Sequence, residues 1–327
     1  MATAHATAAL VANPVCNRHD NGPGHLECPE RIAVLLEAVR SDPELAPCLA
    51  ETLGRPATEE DLARVHTAEH LKGLRDLARA AEQDGKLVWI DPDTAVSPAS
   101  FEAALAGAGC AITAAEAVLE GSFRSAFALC RPPGHHASSG AAMGFCLVNN
   151  VAIAARRVQA AGRAEKVFIL DLDAHHGNGT QEIFYGDGAT YVLSLHLWRG
   201  FPGTGAAVER GKGQGWGTTL NVPLPRKVSA LDYRRRYLAA LESALASFRP
   251  DMVFLSTGFD CLSGDPESEL PLEPADLHQL VSDLLERLPP GARGRVVGVL
   301  EGGYALERIG SGLVNVLRAL TGLPVRA

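Results

Sequence analysis

Residues 167–181, VFILDLDAHHGNGTQ, join a fully apolar run to a cluster of carboxylates and imidazoles. Val167 to Leu170 are apolar without interruption, which is typical of a strand buried on both faces of a parallel sheet. Two aspartates, two histidines and an asparagine follow within residues 171–178. Burying such groups costs free energy unless they are hydrogen-bonded, paired or bound to a metal. The stretch therefore predicts either a satisfied polar strand end or a metal site that performs chemistry.

Similar apolar runs recur along the chain, each followed by a polar loop and then by an Ala/Leu-rich segment. This alternation predicts one α/β domain over residues 1–327, with a mostly parallel sheet and helices on both of its faces. The predicted strands are one near Leu10 and those at 126–130, 167–171, 191–196, 252–257 and 296–300. The predicted helices lie at 29–40, 68–82, 98–119, 149–161, 229–246 and 274–287.

Composition and charge exclude several functional classes. The formal net charge of −8 argues against direct nucleic-acid binding, which needs a basic surface. The seven cysteines show no CxxC spacing, so we expect no disulfide framework and a cytoplasmic location. Residues 1–12 lack the basic start of a signal peptide, and we expect no membrane-spanning segment. Ala/Leu-rich helix faces could support a homo-oligomer, although such faces more often contact the sheet.

Polar groups follow five of the predicted strands. Ligands of open α/β sheets bind beyond the carboxyl ends of the strands, so these groups are predicted to share one site. A structural role is common for each group alone, such as a helix cap for an aspartate, but it does not explain why all of them fall on one edge. The groups are His135, His136, Asp171, Asp173, His175, His176, Asn178, Ser194, His196, Asp260, Glu301 and Tyr304.

Three of these residues form a candidate metal site. Asp173 and His175 are two positions apart, so in an extended segment they point to the same side. Asp260, from another strand, completes a set of one imidazole and two carboxylates. Three protein ligands leave a position open for water or substrate, as a catalytic zinc site requires. The same ligands also suit Fe(II), Co or Mn.

Two further histidines are candidates for acid–base catalysis. Asp171 and Asn178 could each orient one imidazole of the adjacent pair His135 and His136. A carboxylate partner favours the imidazolium, whereas an amide partner does not, so the two pKa values should differ. Tyr304, which follows two glycines, could donate a hydrogen bond to a developing oxyanion.

Five motifs in this order resemble the zinc-dependent histone deacetylase family: RPPGHHA…GFC…NN, DLDAHHGNGTQ…SLH, FPGTG, GFD…GDP and EGGY. That superfamily includes bacterial acetylpolyamine amidohydrolases and histone-deacetylase-like amidohydrolases. The resemblance runs from about His19 to the C-terminal helix, and the motif forms are more similar to class II members. It implies the arginase-deacetylase α/β fold, with a sheet of about eight strands. It also implies hydrolysis of acetylated lysine side chains or acetylated polyamines.

The resemblance assigns roles to individual residues. Zn²⁺ would be held by Asp173, His175 and Asp260, while Tyr304 would bind the substrate carbonyl and oxyanion. His136 would be the general base, oriented by Asn178, and His135, oriented by Asp171, would assist as an electrostatic group or acid; His176 is expected to be structural. A first K⁺ site would use Asp171, Asp173, His175, Ser194 and Leu195, and a second Phe184, Asp187 and Thr190.

Substrate contacts are implied in the same way. Phe145 and Phe201, with Gly144 beside them, would line an acyl-lysine tunnel. Asp93 would grip the substrate backbone, with Asp91 as a rival. Glu267 stands where polyamine-preferring members carry a gatekeeper glutamate and is predicted to favour cationic substrates; a solvent-facing loop glutamate is the alternative.

Three other functions remain to be weighed. A two-manganese, arginase-like ureohydrolase would need a second carboxylate two residues after Asp260, where Leu262 stands. A catalytically silent acyl-amine binder would be expected to lack a ligand or the tyrosine, yet all of these groups are present. A cysteine amidohydrolase would use Cys130 or Cys146, of which Cys146 is flanked by apolar residues and is predicted to be packed in the core.

Overall fold

The computed structural model describes residues 6–326, and eight of the strands within them form one parallel sheet. The strands are β1 (Ala8–Ala12), β2 (Leu49–Leu53), β3 (Val88–Trp89), β4 (Ala95–Val96), β5 (Ser125–Ala128), β6 (Val167–Asp171), β7 (Thr190–Leu197), β8 (Thr219–Leu224), β9 (Met252–Thr257) and β10 (Val296–Leu300). The sheet order is β2-β1-β5-β10-β9-β6-β7-β8, and β3 and β4 form a separate antiparallel hairpin. This architecture confirms the predicted arginase-deacetylase type of α/β fold.

Helices cover both faces of the sheet. The helices are α1 (Glu30–Arg40), α2 (Glu59–Ala63), α3 (Ala68–Asp84), α4 (Ser100–Leu119), α5 (Asn150–Ala160), α6 (Asn178–Phe184), α7 (Ala230–Ser247), α8 (Pro274–Arg287) and α9 (Leu306–Thr321). One core packs α1, α7, α8 and α9 against one face, and a second core packs α3, α4 and α5 against the other. Alternate residues of β9 belong to different cores, Val253 to the first and Phe254 to the second. The middle strands are therefore buried on both faces, as their apolar runs indicated.

Strands in the middle of the sheet match the predicted bounds better than strands at its edges. The predictions at 167–171, 252–257 and 296–300 are confirmed to the residue. The predictions missed β2 and β8, which are the two edge strands and are only partly buried. The predictions also gave no bounds for helices α2, α6 and α9. Helix α9 packs closely on α1 at Gly310, where an added Cβ would lie 2.8 Å from Ala38.

Two expectations about membrane and leader segments need comment. Helix α4 is long and apolar enough to cross a membrane by length and composition alone, and the expectation of no membrane-spanning segment stays a prediction. However, 67% of its most apolar window is buried in the fold, as is typical of a core helix. Residues 8–12, within the segment judged not to be a signal peptide, form β1 in the sheet. Residues 1–5 and 327, which belong to the predicted single domain, lie outside the described residues.

Candidate active site

The carboxyl ends of β5, β10, β9, β6 and β7 are neighbours in the sheet, and the polar groups that follow them meet around one pocket. The pocket has a volume of about 320 Å³. We define its floor as His136, His175 and Tyr304, and its walls as Gly144, Phe145 and Phe201. We define its rim as Gly24, His25, Leu26, Asp93 and Glu267; all eleven residues line the pocket. The floor is therefore built from the strand ends, as the sequence predicted.

The three predicted zinc ligands lie together beside the floor. One potential ligand atom from each of Asp173, His175 and Asp260 lies within 4.8 Å of the others. Nδ1 of His175 is 2.9 Å from Oδ2 of Asp260 and 3.1 Å from Oδ1 of Asp173. Nε2 of His175 is 3.2 Å from the main-chain oxygen of Glu267, to which it can donate its hydrogen. This tautomer turns the lone pair of Nδ1 toward both carboxylates.

The charges of this cluster fit a bound cation. Both aspartates are fully buried. Burial and the neighbouring Asp173 carboxylate raise the pKa of Asp260 to about 8. Two adjacent buried carboxylates are costly as anions unless a positive charge lies between them. A divalent ion would supply that charge, and one imidazole with two carboxylates is a donor set found at catalytic zinc sites.

The two predicted catalytic histidines have different partners. Their ring centroids are 4.0 Å apart. Nδ1 of His135 is 3.0 Å from Oδ2 of Asp171, and Nδ1 of His136 is 2.8 Å from Oδ1 of Asn178. Burial alone would lower the pKa of His135, but Asp173 and Asp171 outweigh it and raise the pKa to about 10. Burial, reinforced by the charge of His135, holds the pKa of His136 well below its usual value.

These pKa directions and hydrogen bonds distinguish the two rings. They favour an imidazolium at His135, held by a carboxylate, and a neutral imidazole at His136. Because the Asn178 oxygen accepts from Nδ1–H, the other ring nitrogen of His136 is left with its lone pair. His136 lines the pocket, so it can accept a proton there.

Tyr304 reaches the floor from the loop after β10. Its main-chain N–H and that of Ala305 donate to Oδ2 of Asp265, at 2.7 and 3.0 Å, which fixes the start of α9. The guanidinium of Arg31 lies 5.0 Å from the centroid of the Tyr304 ring. Burial raises the pKa of Tyr304 well above its usual value, so its hydroxyl stays protonated and can act as a donor. Sequence patterns did not assign a role to Arg31 or Asp265, since neither directly follows a predicted strand.

The walls form a narrow aromatic passage. The main-chain N–H of Phe145 donates to the hydroxyl oxygen of Thr94 at 3.1 Å, and the Phe145 ring meets the Tyr304 ring edge-on at 5.6 Å. The Phe201 ring meets the His136 ring edge-on at 5.0 Å. Gly144 has a φ of +54°, and a Cβ at this position would lie 2.6 Å from His136 and 2.8 Å from Phe201. Glycine is needed here to keep both the backbone turn and the passage.

The two candidate aspartates, Asp93 and Asp91, have different roles at the rim. Asp93 lines the pocket, whereas Asp91 accepts hydrogen bonds from the main-chain N–H groups of Asp93 and Thr94 and from the Thr94 hydroxyl. Asp91 therefore shapes the loop that presents Asp93. His25, whose Nε2 lies 3.2 Å from the main-chain oxygen of Asp93, was not predicted from the sequence. Gly24 and Leu26 were not predicted either, because they lie late in the long connection between β1 and α1 and not directly at the strand end.

The proposed potassium ligands lie on neighbouring elements. Asp171 pairs in register with Ser194, so the side chains of the first set start from adjacent positions on β6 and β7. At the second set, Oδ2 of Asp187 accepts from Arg156 at 2.6 Å and from the Thr190 hydroxyl at 3.1 Å. The guanidinium of Arg156 also lies 4.6 Å from the centroid of the Phe184 ring. The guanidinium of Arg156 thus already neutralises the Asp187 carboxylate. Both potassium sites stay predictions.

Other site residues have structural contacts. His176 bonds Thr204 through Nδ1 at 2.8 Å and Gln181 through Nε2 at 3.0 Å, which ties the loop of Phe201 to α6. Nδ1 of His196 lies 2.9 Å from the Ser194 hydroxyl, and Nε2 lies 3.0 Å from the Gly205 oxygen. Both nitrogens of each ring are thus held by hydrogen bonds, which agrees with the structural role expected for His176.

The structure also bears on the rival functions. Leu262 is fully buried at the position where a two-metal site would need a carboxylate. Cys146 is likewise buried, and burial raises the pKa of its thiol well above the usual value, which disfavours a thiolate nucleophile. Cys130 is buried too, and its Sγ–H donates to the Gly107 oxygen at 3.2 Å.

Comparison with known proteins agrees with this geometry. The sequence profile of the histone deacetylase domain matches residues 25–320. The chain belongs to the histone deacetylase family. The crystal structure of the HDA15 HD domain superposes with a TM-score of 0.89 at 32% identity, over 99% of this chain and 90% of that one.

Relatives in this family carry different names. Histone deacetylase 14, chloroplastic, of Arabidopsis thaliana is 35% identical over 97% of this chain and 78% of its own length. The histone deacetylase-like amidohydrolase of Pseudomonas aeruginosa is 36% identical over 92% of this chain and 78% of its own length. Polyamine deacetylase HDAC10 of Mus musculus is 33% identical over 98% of this chain but only 47% of its own length. The family is thus shown, whereas the names of the relatives point to more than one substrate.

Proposed function

We propose that the chain is a zinc-dependent amidohydrolase that removes acetyl groups from amines. One observation carries this proposal: a buried triad suited to a cation lies beside two histidines with opposite pKa shifts at the bottom of an aromatic pocket. Metal-assisted hydrolysis needs this combination of an ion site, a base and an acid. The histone deacetylase family supplies the reaction class, since its members include deacetylase-like amidohydrolases.

Asp173, His175 and Asp260 would hold the zinc ion. When bound there, zinc would supply Lewis-acid polarisation of the amide carbonyl and would acidify a water molecule. The protein fixes the two carboxylates through main-chain donors. The Ala174 N–H donates to Asp260 at 2.8 Å, and the Gly302 N–H donates to Asp173 at 2.9 Å. These bonds orient the carboxylates before any substrate arrives.

The two histidines would divide the proton transfers. His136, neutral and with one unprotonated ring nitrogen, accepts the proton of the attacking water. His135, an imidazolium beside Asp171, stabilises the negative charge that develops and can help to protonate the leaving amine. Tyr304 donates its hydroxyl hydrogen to the oxygen of the former carbonyl. Phe145 and Phe201 exclude water from the acyl chain.

The rim supports a preference for positively charged amines. Neither Asp93 nor Glu267 makes a salt bridge within residues 6–326, and both line the pocket opening. Unpaired carboxylates attract ammonium groups, so an acetylated polyamine or a basic acetyl-lysine peptide suits this opening. We also propose a cytoplasmic location, which the seven free cysteines support.

A substrate panel on zinc-loaded protein tests the proposed function. The panel pairs a fluorogenic acetyl-lysine peptide with N-acetylspermidine and acetylputrescine, and metal content is measured on the same preparation. Cleavage of at least one acetylated amine with one zinc per chain is expected. Metal binding without cleavage of any acyl amine would instead indicate the silent binder.

The same preparation separates the remaining rivals. Arginase-like chemistry predicts two metals per chain and hydrolysis of a guanidine. Cysteine chemistry predicts activity that survives a chelator and is lost on thiol alkylation. The zinc proposal predicts the opposite of cysteine chemistry. Activity should be lost to the chelator, restored by added zinc and retained after thiol alkylation.

A further inference from the structure

Glu301 is a fully buried carboxylate that the proposed mechanism leaves without a role. It follows β10 directly and precedes the two glycines that lead to Tyr304. Its Oε2 accepts from the main-chain N–H groups of Gly134 and His135, at 2.7 and 3.0 Å. Its Oε1 accepts from the hydroxyl of Ser256 at 2.6 Å. One side chain thus joins the carboxyl ends of β5, β9 and β10.

A metal role for this carboxylate does not fit its contacts. Ligand atoms of His135, Cys146 and Glu301 do lie within 4.8 Å of one another. However, both oxygens of Glu301 already accept hydrogen bonds from protein donors, and Nδ1 of His135 faces Asp171. The Cys146 thiol stays protonated because burial raises its pKa. The cluster is therefore satisfied without an ion.

The contacts of Glu301 connect the two loops that carry the proton-transfer groups. Gly134 and His135 begin the turn that presents both histidines, and their buried N–H groups would lose their acceptor without this carboxylate. The main chain of Glu301 is anchored in turn, since its oxygen accepts from Arg31 at 2.6 Å and its N–H donates to Thr257 at 2.9 Å. A shift at either end would be transmitted to the other loop.

We propose that Glu301 is a positioning residue, which holds the His135–His136 turn at a fixed distance from the loop of Tyr304. This role depends on the length of the Glu301 side chain and not on its charge. Glutamine has the same length; its oxygen can accept from Gly134 and His135, while its amide donates to Ser256, whose hydroxyl can also accept. Aspartate keeps the charge but is one methylene shorter. Only the kinetic test of this inference rests on the proposed function.

Three variants separate reach from charge. E301A and E301D are expected to lower kcat, by about 100-fold for E301A, because a misplacement of about 1 Å of a catalytic group can have that effect. KM should change little, since Glu301 does not line the pocket. E301Q should keep at least about ten times the kcat of E301D. An active E301D with an inactive E301Q, or a fully active E301A, would overturn the proposal.

Amide hydrogen exchange gives a readout that needs no activity. In E301D and E301A, exchange should accelerate in peptides covering residues 131–147, which include Gly134 and His135, and E301Q should retain the protection. The peptide covering β6 serves as the internal control and should not change. Unaltered exchange at 131–147 in E301D would contradict the positioning role. If wild-type protein cleaves no acetylated amine but this exchange pattern holds, only the proposed function fails.

Discussion

The floor and the rim of the pocket are stabilised in different ways. At the floor, His136 and His175 are buried or nearly so, and each has a specific hydrogen-bond partner. At the rim, Asp93 and Glu267 make no salt bridge within the described residues, and Phe201 of the adjoining wall is 43% exposed. Buried, hydrogen-bonded imidazoles are held in one geometry, whereas exposed side chains can be exchanged at little cost. We therefore expect the floor to determine the reaction and the rim to determine which amine is accepted.

The largest effect is expected from a change beside the floor. Asp260→Asn removes one of the two carboxylates among the three proposed ligands, so zinc content and kcat should fall together, kcat by at least about 10³-fold on every substrate. Metal analysis and the substrate panel measure this. Asp283→Asn is the control, since it removes a buried carboxylate that pairs with Arg234 instead. A zinc-free but active Asp260→Asn protein would show that the triad does not hold the catalytic metal.

Tyr304→Phe should lower kcat by about 10² to 10³-fold, because one oxyanion donor is lost. KM and the melting temperature should change little, since the hydroxyl has no hydrogen-bond partner among the described residues. Tyr237→Phe is the matched control. Its hydroxyl donates to the Leu280 oxygen at 2.8 Å, so stability should fall by about 1 kcal/mol while activity persists. Comparable activity of Tyr304→Phe and wild type would remove the tyrosine from the mechanism.

Gly144→Ala tests the boundary between floor and rim. The added Cβ would collide with His136 and Phe201, so kcat/KM should fall by about tenfold or more for all substrates. Gly140→Ala lies in the same segment and has no atom within 4 Å of the added Cβ, so its kinetics should match the wild type. Equal kinetics for the two variants would mean that the passage is wider in solution than the structure indicates.

The smallest effect is expected at the rim. Glu267→Leu should reduce the preference for N-acetylspermidine over a neutral acetyl-lysine peptide by about fivefold at most, because an exposed ion pair contributes about 1 kcal/mol or less. Glu269→Leu is the control, since Glu269 pairs with Arg226 and does not line the pocket. An unchanged ratio of kcat/KM values in Glu267→Leu would leave Glu267 as an ordinary loop residue.

The same contrast explains how much could be predicted from the sequence. The strand at 167–171 and the group of Asp173, His175 and Asp260 were predictable because buried strands leave apolar runs and functional groups follow their ends. The edge strand β2 was missed because its sequence, LAETL, mixes polar and apolar residues. His25 was missed because rim residues come from connections with no regular pattern. Glu301 was noticed, but its role depends on distances to main-chain atoms that a sequence does not contain.

One hydrogen bond described above has a consequence for mutational tolerance. Nε2 of His175 donates to the main-chain oxygen of Glu267 and not to its side chain. Any residue at position 267 can supply that oxygen, so point replacements there leave the tautomer of His175 intact. Inserting or deleting one residue between 263 and 268 would move the oxygen and free the imidazole to rotate. Position 267 can therefore diversify by substitution, whereas the loop around it cannot change its length.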